Sequence, residues 1–402
     1  MITQTTVSTL AVPRDGLPAG MTLLLAASCG LIAANIYYPQ PLIGQIGATL
    51  GLSPATAGLI VMMTQLGYGL GLLLIVPLGD LLENRRLLTV ILALAILSLT
   101  AAASTGDVVL FLAAALLIGL GSVAVQMLLL YASHLASPEQ QGKAVGVVAS
   151  GLMLGIMLAR PVAGLVAGLT HWRVVFMGAA GLMLILANVL HRALPVRHPM
   201  QKSSYLDLLR SMPPLLRHYA ELRWRAFYQA CLFAAFSLFW TTVPMWMSDR
   251  FGFSATAIAV FSLTGLASVL VAPLAGQAAD RGWDRAATGV AIVATGLCFV
   301  LTGWTPASTA SAVTMLVLGS VLLGAGVTLH AVLGQRAVFA LDVQARGRLN
   351  GLFIALYFTG GALGSILGST AYAHGGWPFA SGVGLVLCML ALAGLLMRVR
   401  MR

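Results

Sequence analysis

The chain carries too little charge to live in water. Asp, Glu, Lys and Arg make up 8% of its 402 residues, against roughly a quarter in an ordinary soluble domain. With 59% hydrophobic residues it has nothing to cover its surface with, and lipid must be its solvent. Acidic residues are the scarcest, 11 against 22 Lys and Arg, and none sits well inside an apolar run. That removes the buried carboxylate that proton-coupled carriers commonly titrate. The four cysteines, Cys29, Cys231, Cys298 and Cys388, lie far apart within apolar runs. They form neither a disulfide framework nor a metal-ligand spacing, and are read as small apolar residues. No GxxxxGK(S/T) phosphate loop is present, so nucleotide-driven transport is disfavoured. Clustered His and Glu of a membrane-embedded enzyme and the charged or carbonyl-rich filter of a channel are also missing. The reading is not an enzyme, with no cofactor and no metal. Residues 1–20 are polar and show no cleavable secretory signal.

What the chain does have is a series of apolar runs. About 20 such residues cross a bilayer as a helix, and twelve runs reach that length, near 21–44, 55–79, 86–104, 108–133, 144–168, 173–193, 225–247, 256–279, 286–305, 310–335, 347–372 and 377–397. They fall into two sets of six, because the chain repeats itself. Asp80 and Arg85 recur as Asp280 and Arg285, and Ala55-Thr56-Ala57 as Ala255-Thr256-Ala257, at an offset of 200. Gly119, Gly121, Gly142, Lys143, Gly146, Gly155 and Trp172 recur as Gly324, Gly326, Gly347, Arg348, Gly351, Gly360 and Trp377 at an offset of 205. The expected architecture is all-α and integral to the membrane, with twelve transmembrane helices in two pseudo-symmetric bundles. An N-terminal tail over 1–20 is followed by a bundle over 21–193, a linker over 194–222, a second bundle over 223–397 and a tail over 398–402. Two halves with an even number of spans enter the membrane from the same side. They are then related by an axis along the membrane normal, with a substrate site between them.

The net charge of +11 points to topology and not to nucleic acid. With both termini inside, the basic residues concentrate on the cytoplasmic side, leaving Arg173 and Arg250 outside and Arg160 within a span, as the positive-inside rule requires. The linker holds Lys202, Asp207, Arg210, Pro213, Pro214 and Arg217, and Ser204 to Arg210 reads as a short amphipathic surface helix.

The loop after the second span carries Leu78, Gly79, Asp80 and Arg85, with Val76, Leu81 and Glu83 where a further Gly, a basic residue and a second Gly would complete the pattern. Its copy carries Gly276, Ala279, Asp280, Arg281 and Arg285. With the six-plus-six layout, these residues make the chain resemble the major facilitator superfamily of secondary transporters over nearly its whole length. The fifth span resembles the pattern of that family's exporters through Gly146, Gly155, Pro161, Gly164 and Gly168, with Arg160 where Gly is usual. The fourth-span pattern whose basic residue accompanies proton coupling is not matched, since Ala115 stands four residues before Gly119. The resemblance implies an exporter of a small organic molecule, coupled to protons and working as a monomer in the cytoplasmic membrane by alternating access. An uptake symporter or a facilitated carrier is the rival. It also implies that Asp80, Arg85, Asp280, Arg281 and Arg285 form a conformational latch. In physical terms, the carboxylate pairs with nearby guanidinium groups or accepts from the first amides of the next helix.

Polar residues inside spans are the remaining candidates. Arg160 either attracts an anionic substrate or is a fixed charge satisfied by carbonyls that Pro161 frees. His330, one position from the repeat mate of Gln126, is either a packing residue or a proton carrier. Asn35 and Tyr38 share a helix face and are expected to line the cavity with Tyr37 and Gln40. Gln65, Trp240 and Thr241 are weaker candidates.

Overall fold

In hydrocarbon, a backbone N–H or C=O has no water to bond, so each apolar run must satisfy its own peptide groups as a helix. The computed structural model, which describes residues 18–137, 140–196, 204–304 and 308–400, is built accordingly, with no strand among those residues. The expected tail over 1–20 and the linker residues 197–203, Lys202 included, fall almost wholly outside the described residues.

The first span is α1 (Ala19–Tyr37) and α2 (Pro39–Leu50). Pro39 opens α2 at its first position, where the missing N–H costs nothing. The second is α3 (Leu59–Leu74), closing in a 3₁₀ turn over Val76–Asp80. The others in the first half are α4 (Asn84–Ser104), α5 (Val108–Ser122) running into α6 (Ala124–Leu135), α7 (Gln141–Leu169) and α8 (Trp172–Ala193). The linker carries α9 (Tyr205–His218). The second half starts with α10 (Ala220–Phe251) and continues with α11 (Ala255–Ser262), a 3₁₀ stretch over Leu263–Leu270 and α12 (Val271–Asp280). It ends with α13 (Asp284–Gly303), α14 (Thr309–Phe339) and α15 (Arg346–Arg400). Eleven segments of the described residues are long and apolar enough to cross a membrane. The last, α15, is two arms that meet at the non-helical Gly375 and Gly376, so the spans number twelve. Gly376 has φ +61°, a left-handed conformation that a Cβ would strain.

The repeat reappears in the packing. A Cβ on Gly119 would lie 2.1 Å from the Thr64 carbonyl oxygen, and one on its mate Gly324 would lie 3.0 Å from Ser268, so both face the second span of their own half. Gly121 and Gly326 both face the third, against Ala95 and Ala291. Gly155 meets Gly30 as Gly360 meets Ala230. Trp172 and Trp377 are both buried, donating from Nε1 to Thr49 Oγ1 at 3.1 Å and to the Thr302 carbonyl at 2.6 Å. Small residues at these crossings bring backbones together where no hydrophobic effect drives helices to associate.

Two expected boundaries fall inside helices. Glu221 binds Arg225 Nε at 2.9 Å and also Arg398. Those pairs tie the start of α10 to the end of α15, so neither 222/223 nor 397/398 marks a break. The linker helix is also longer than Ser204 to Arg210. Tyr205 donates from its hydroxyl to the Leu74 carbonyl at 2.8 Å, and Arg348 donates to Ser211 Oγ at 2.8 Å, so α9 holds on to both halves.

Candidate functional site

The two halves meet along two seams. In the first, α3 runs against the first arm of α15. Ser369 Oγ donates to the Ala55 carbonyl and Ser365 Oγ to that of Gly58, each at 2.9 Å. Further along, a Cβ on Gly69 would lie 3.4 Å from the Ala355 carbonyl, and one on Gly351 3.7 Å from that of Leu72. This seam holds along its length. The second seam sets α7 against α11 and the 3₁₀ stretch after it. It is tight at the end away from Asp280, where Gly168 faces Thr256 and Gly164 faces Ala259. Midway, Ser268 Oγ lies 3.5 Å from Met157 sulfur. Toward the start of α7 most residues of its first turns are exposed, Ala144 and Val148 excepted, and Ala275 is the one buried residue of α12.

At mid-seam the interior is polar. Arg160, on α7, is 1% exposed. Its Nε donates to Gln40 Oε1 at 2.5 Å, and its guanidinium carbon lies 4.9 Å from the centre of the Tyr37 ring, 5.1 Å from Phe236 and 4.8 Å from Trp240. Tyr37 and Gln40 belong to the first half, Phe236 and Trp240 to the second. Gln40 and Trp240 are 200 positions apart, so equivalent positions of the repeat approach one guanidinium, which therefore sits near the axis relating the halves.

This cation is under-compensated. Arg225–Glu221, Arg336–Asp280 and Arg398–Glu221 form ion pairs, and no carboxylate of the described residues pairs with Arg160. Its Nη2 has no hydrogen-bond partner, and neither do Gln40 Nε2, Trp240 Nε1 or either amide atom of Asn35, all buried. Ring faces are worth about 0.5–2 kcal/mol each to a cation, and one charged hydrogen bond about 1.5–3 kcal/mol. Taking a guanidinium out of water costs several kcal/mol even after relaxation, so these contacts offset part of that cost. The hydrogen bond goes to Gln40 and not to a carbonyl freed by Pro161.

The other candidates separate. Tyr38 is buried at the break between α1 and α2. Gln126 donates to the Tyr68 hydroxyl at 3.1 Å, inside the first half. His330 does not reach the junction. It is buried between α14 and α10, with Nδ1 2.6 Å from Gln229 Oε1 and the Tyr228 ring at 5.9 Å, because α14 packs among helices of its own half. Gln65 does cross, donating to Ser237 Oγ at 2.9 Å.

Asp280, Arg281 and Arg85 find partners outside the expected set of latch residues. Asp280 pairs with Arg336 on α14 at 2.6 Å, not with Arg281, whose guanidinium lies over the Trp283 ring. Arg285 lines a small cavity of about 110 Å³ with Glu221, Arg225 and Arg398. Arg85 donates to the His191 and Leu194 carbonyls at 3.4 and 3.5 Å. These contacts join helices within a half. The amides at the start of α4 are capped by Glu83, which accepts from the N–H groups of Arg85 and Arg86. Asp80 ends the 3₁₀ turn before it. Of the fifth-span glycines, Gly146 is a correction: nothing lies within 4 Å of where its Cβ would be, because it lies on the exposed face of α7, while Ala144 and Val148 carry the buried one.

Two repeated six-span halves enclosing buried polar groups at their junction make this a multi-pass membrane transport protein. The chain belongs to the Major Facilitator Superfamily, whose family model matches residues 23–338 and 225–402. It is 37% identical over 386 residues to an uncharacterized transporter, YgaY, of Escherichia coli O157:H7, covering 96% of each chain. It is 32% identical over 371 residues to a probable transporter, SCO4007, of Streptomyces coelicolor, covering 90% of this chain and 84% of that one. Among solved structures, the nucleoside transporter NupG superposes with a TM-score of 0.77 at 16% identity, over 95% of this chain and 99% of that one. A POT family transporter in complex with 5-aminolevulinic acid gives 0.74 at 13%, over 95% and 96%. At such identities the likeness is one of fold.

Proposed function

We propose that the protein exports a small organic molecule in exchange for protons, with residues 21–193 and 223–397 rocking about a site at the Arg160 junction. The observation that carries this reading is the asymmetry of the seams: one is closed along its length, while the other is closed only from Met157 toward Gly168. Parting of the halves toward the Asp80 and Asp280 end, on the α7 and α12 side, would bring the buried junction to the face where the basic loops lie. By the positive-inside rule that face is cytoplasmic, with both termini on it. The exporter pattern of the fifth span supports the direction. The chain acts as a monomer on this reading, since each molecule contains both halves of the path.

The test is transport in proteoliposomes, with and without an imposed pH gradient. The gradient accelerates export by the wild type. Asp80→Asn, which keeps shape and removes charge, slows it at equal protein level. His330→Gln cannot take up a proton near neutral pH; if His330 carries the coupling, this variant exchanges substrate but ignores the gradient. A wild type indifferent to the gradient defeats proton coupling and leaves a facilitated or otherwise coupled carrier.

A further inference from the structure

The junction lacks an anion. A buried guanidinium with no carboxylate partner among the described residues, three aromatic faces around it and unpartnered N–H groups at Arg160 Nη2, Gln40 Nε2 and Trp240 Nε1 form a donor-rich, positively charged and apolar-walled place. We propose that Arg160 binds the anionic group of the substrate, and that the substrate is an organic monoanion with a flat, aromatic body.

Each part of the proposal follows from a different observation. The anionic group follows from the uncompensated charge, because a guanidinium presents five N–H donors and one of them is used by Gln40. A carboxylate or sulfonate would take two parallel donors from the fork, the strong geometry for this pair. The single charge follows from arithmetic at low dielectric. One cation stands in the cage, so a dianion would leave a net negative charge buried at heavy cost. The flat body follows from Tyr37, Phe236 and Trp240, whose faces already hold one planar group at 4.8 to 5.1 Å and suit offset stacking with another.

The cage is closed in this structure, since Arg160 is 1% exposed. Phe236 and Trp240 are carried by the second half, while Arg160, Gln40 and Tyr37 are carried by the first. Parting the halves strips two rings from the guanidinium and opens a face for the anion. Rejoining them stacks the rings on the substrate. The assignment rests on the transport reading for what happens after binding, but binding itself is measurable without transport.

The experiment is isothermal titration calorimetry on the purified full chain in detergent. The probes are benzoate, benzenesulfonate and indole-3-acetate, set against the neutral benzamide and indole-3-acetamide, the cation benzylammonium, the aliphatic acid butyrate and the dianion phthalate. The wild type is expected to prefer each aromatic acid over its amide by about tenfold or more, and benzoate over butyrate and phthalate. Arg160→Met is expected to weaken acid binding roughly 30-fold or more, the loss typical when one partner of a buried charge pair is removed. Arg160→Lys keeps the charge without the fork and retains part of the binding. Trp240→Leu, which leaves the charge in place, reduces the preference for benzoate over butyrate. Equal binding of acids and amides by the wild type overturns the proposal, and this comparison needs no variant to fold. Undiminished acid binding by a folded Arg160→Met, or no binding of any aromatic acid at about 1 mM, does the same. Failure of transport with acid binding intact would sink the transport reading and leave the site.

Discussion

Gly155 and Gly146 lie on the same helix and carry opposite expectations. A Cβ on Gly155 would fall 2.2 Å from the Gly30 Cα and carbonyl oxygen, backbone atoms that cannot swing aside. Gly155→Ala must therefore push α1 from α7, at about 1–3 kcal/mol for overpacking, and its thermal unfolding midpoint in detergent falls. Gly146→Ala meets open space and, having lost a helix-interior glycine, gains a few tenths to about 1 kcal/mol. Equal midpoints for the two variants would mean that the α1–α7 crossing does not depend on backbone contact. Arg160 is the other residue on α7 whose surroundings decide its role, since Gln40 takes one of its N–H groups and no carboxylate among the described residues takes its charge.

At the level of elements, the contact between α12 and α14 makes a distinct prediction. Asp280 and Arg336 are 70% and 48% exposed, and exposed pairs contribute about 0–1 kcal/mol. Asp280→Asn and Arg336→Gln are expected to leave thermal stability nearly unchanged while slowing transport, and the double variant to be no slower than either single one. Rates that multiply would show two independent roles. This pair was not legible in the sequence, where the doubled motif pointed to Arg281 and Arg285. Those two lie within five residues of Asp280 in sequence, whereas Arg336 arrives from a span two helices later. The spans themselves were legible to within a few residues, because hydrocarbon imposes their length and apolarity directly. So were Arg160, Gln40 and Tyr37, as polar groups out of place in lipid. Phe236 could not be found that way, since an aromatic ring in an apolar run looks the same facing lipid or facing a cation. His330 was legible as an oddity, but the depth of a residue along its helix does not say which way it faces, and Gln229 had to be seen beside it.

For the whole molecule, the tight end of the second seam supplies a lock. A Cβ on Gly168 would lie 3.4 Å from that of Ala255, close to the roughly 3.5–4.5 Å across a disulfide. With Cys29, Cys231, Cys298 and Cys388 replaced by alanine, Gly168→Cys and Ala255→Cys together are expected to cross-link on oxidation. Transport stops while the bond holds and recovers on reduction. A cross-linked protein that still transports would mean that this end never opens. In contrast, Gly146→Cys with Gln277→Cys, at the exposed end of the same two spans, is expected to remain reduced in the arrangement described.

The lone cation near the axis of the two halves also has an electrical meaning. A charge close to that axis keeps its depth in the membrane as the halves rock, so it contributes little to the charge moved during a cycle. When a monoanion occupies the cage the centre becomes neutral, and the displacement belongs to the cargo. On the proposed exchange, sending one negative charge out while one proton comes in moves two elementary charges in the same electrical sense. Each is worth about 2.3 kcal/mol per 100 mV, so an interior-negative voltage contributes about 4.6 kcal/mol per 100 mV to export. Vesicles with the potential set by a potassium gradient and ionophore, and with no pH difference, should therefore export faster as the interior becomes more negative. A flux that ignores voltage would mean that the cargo leaves uncharged or that a compensating ion travels with it.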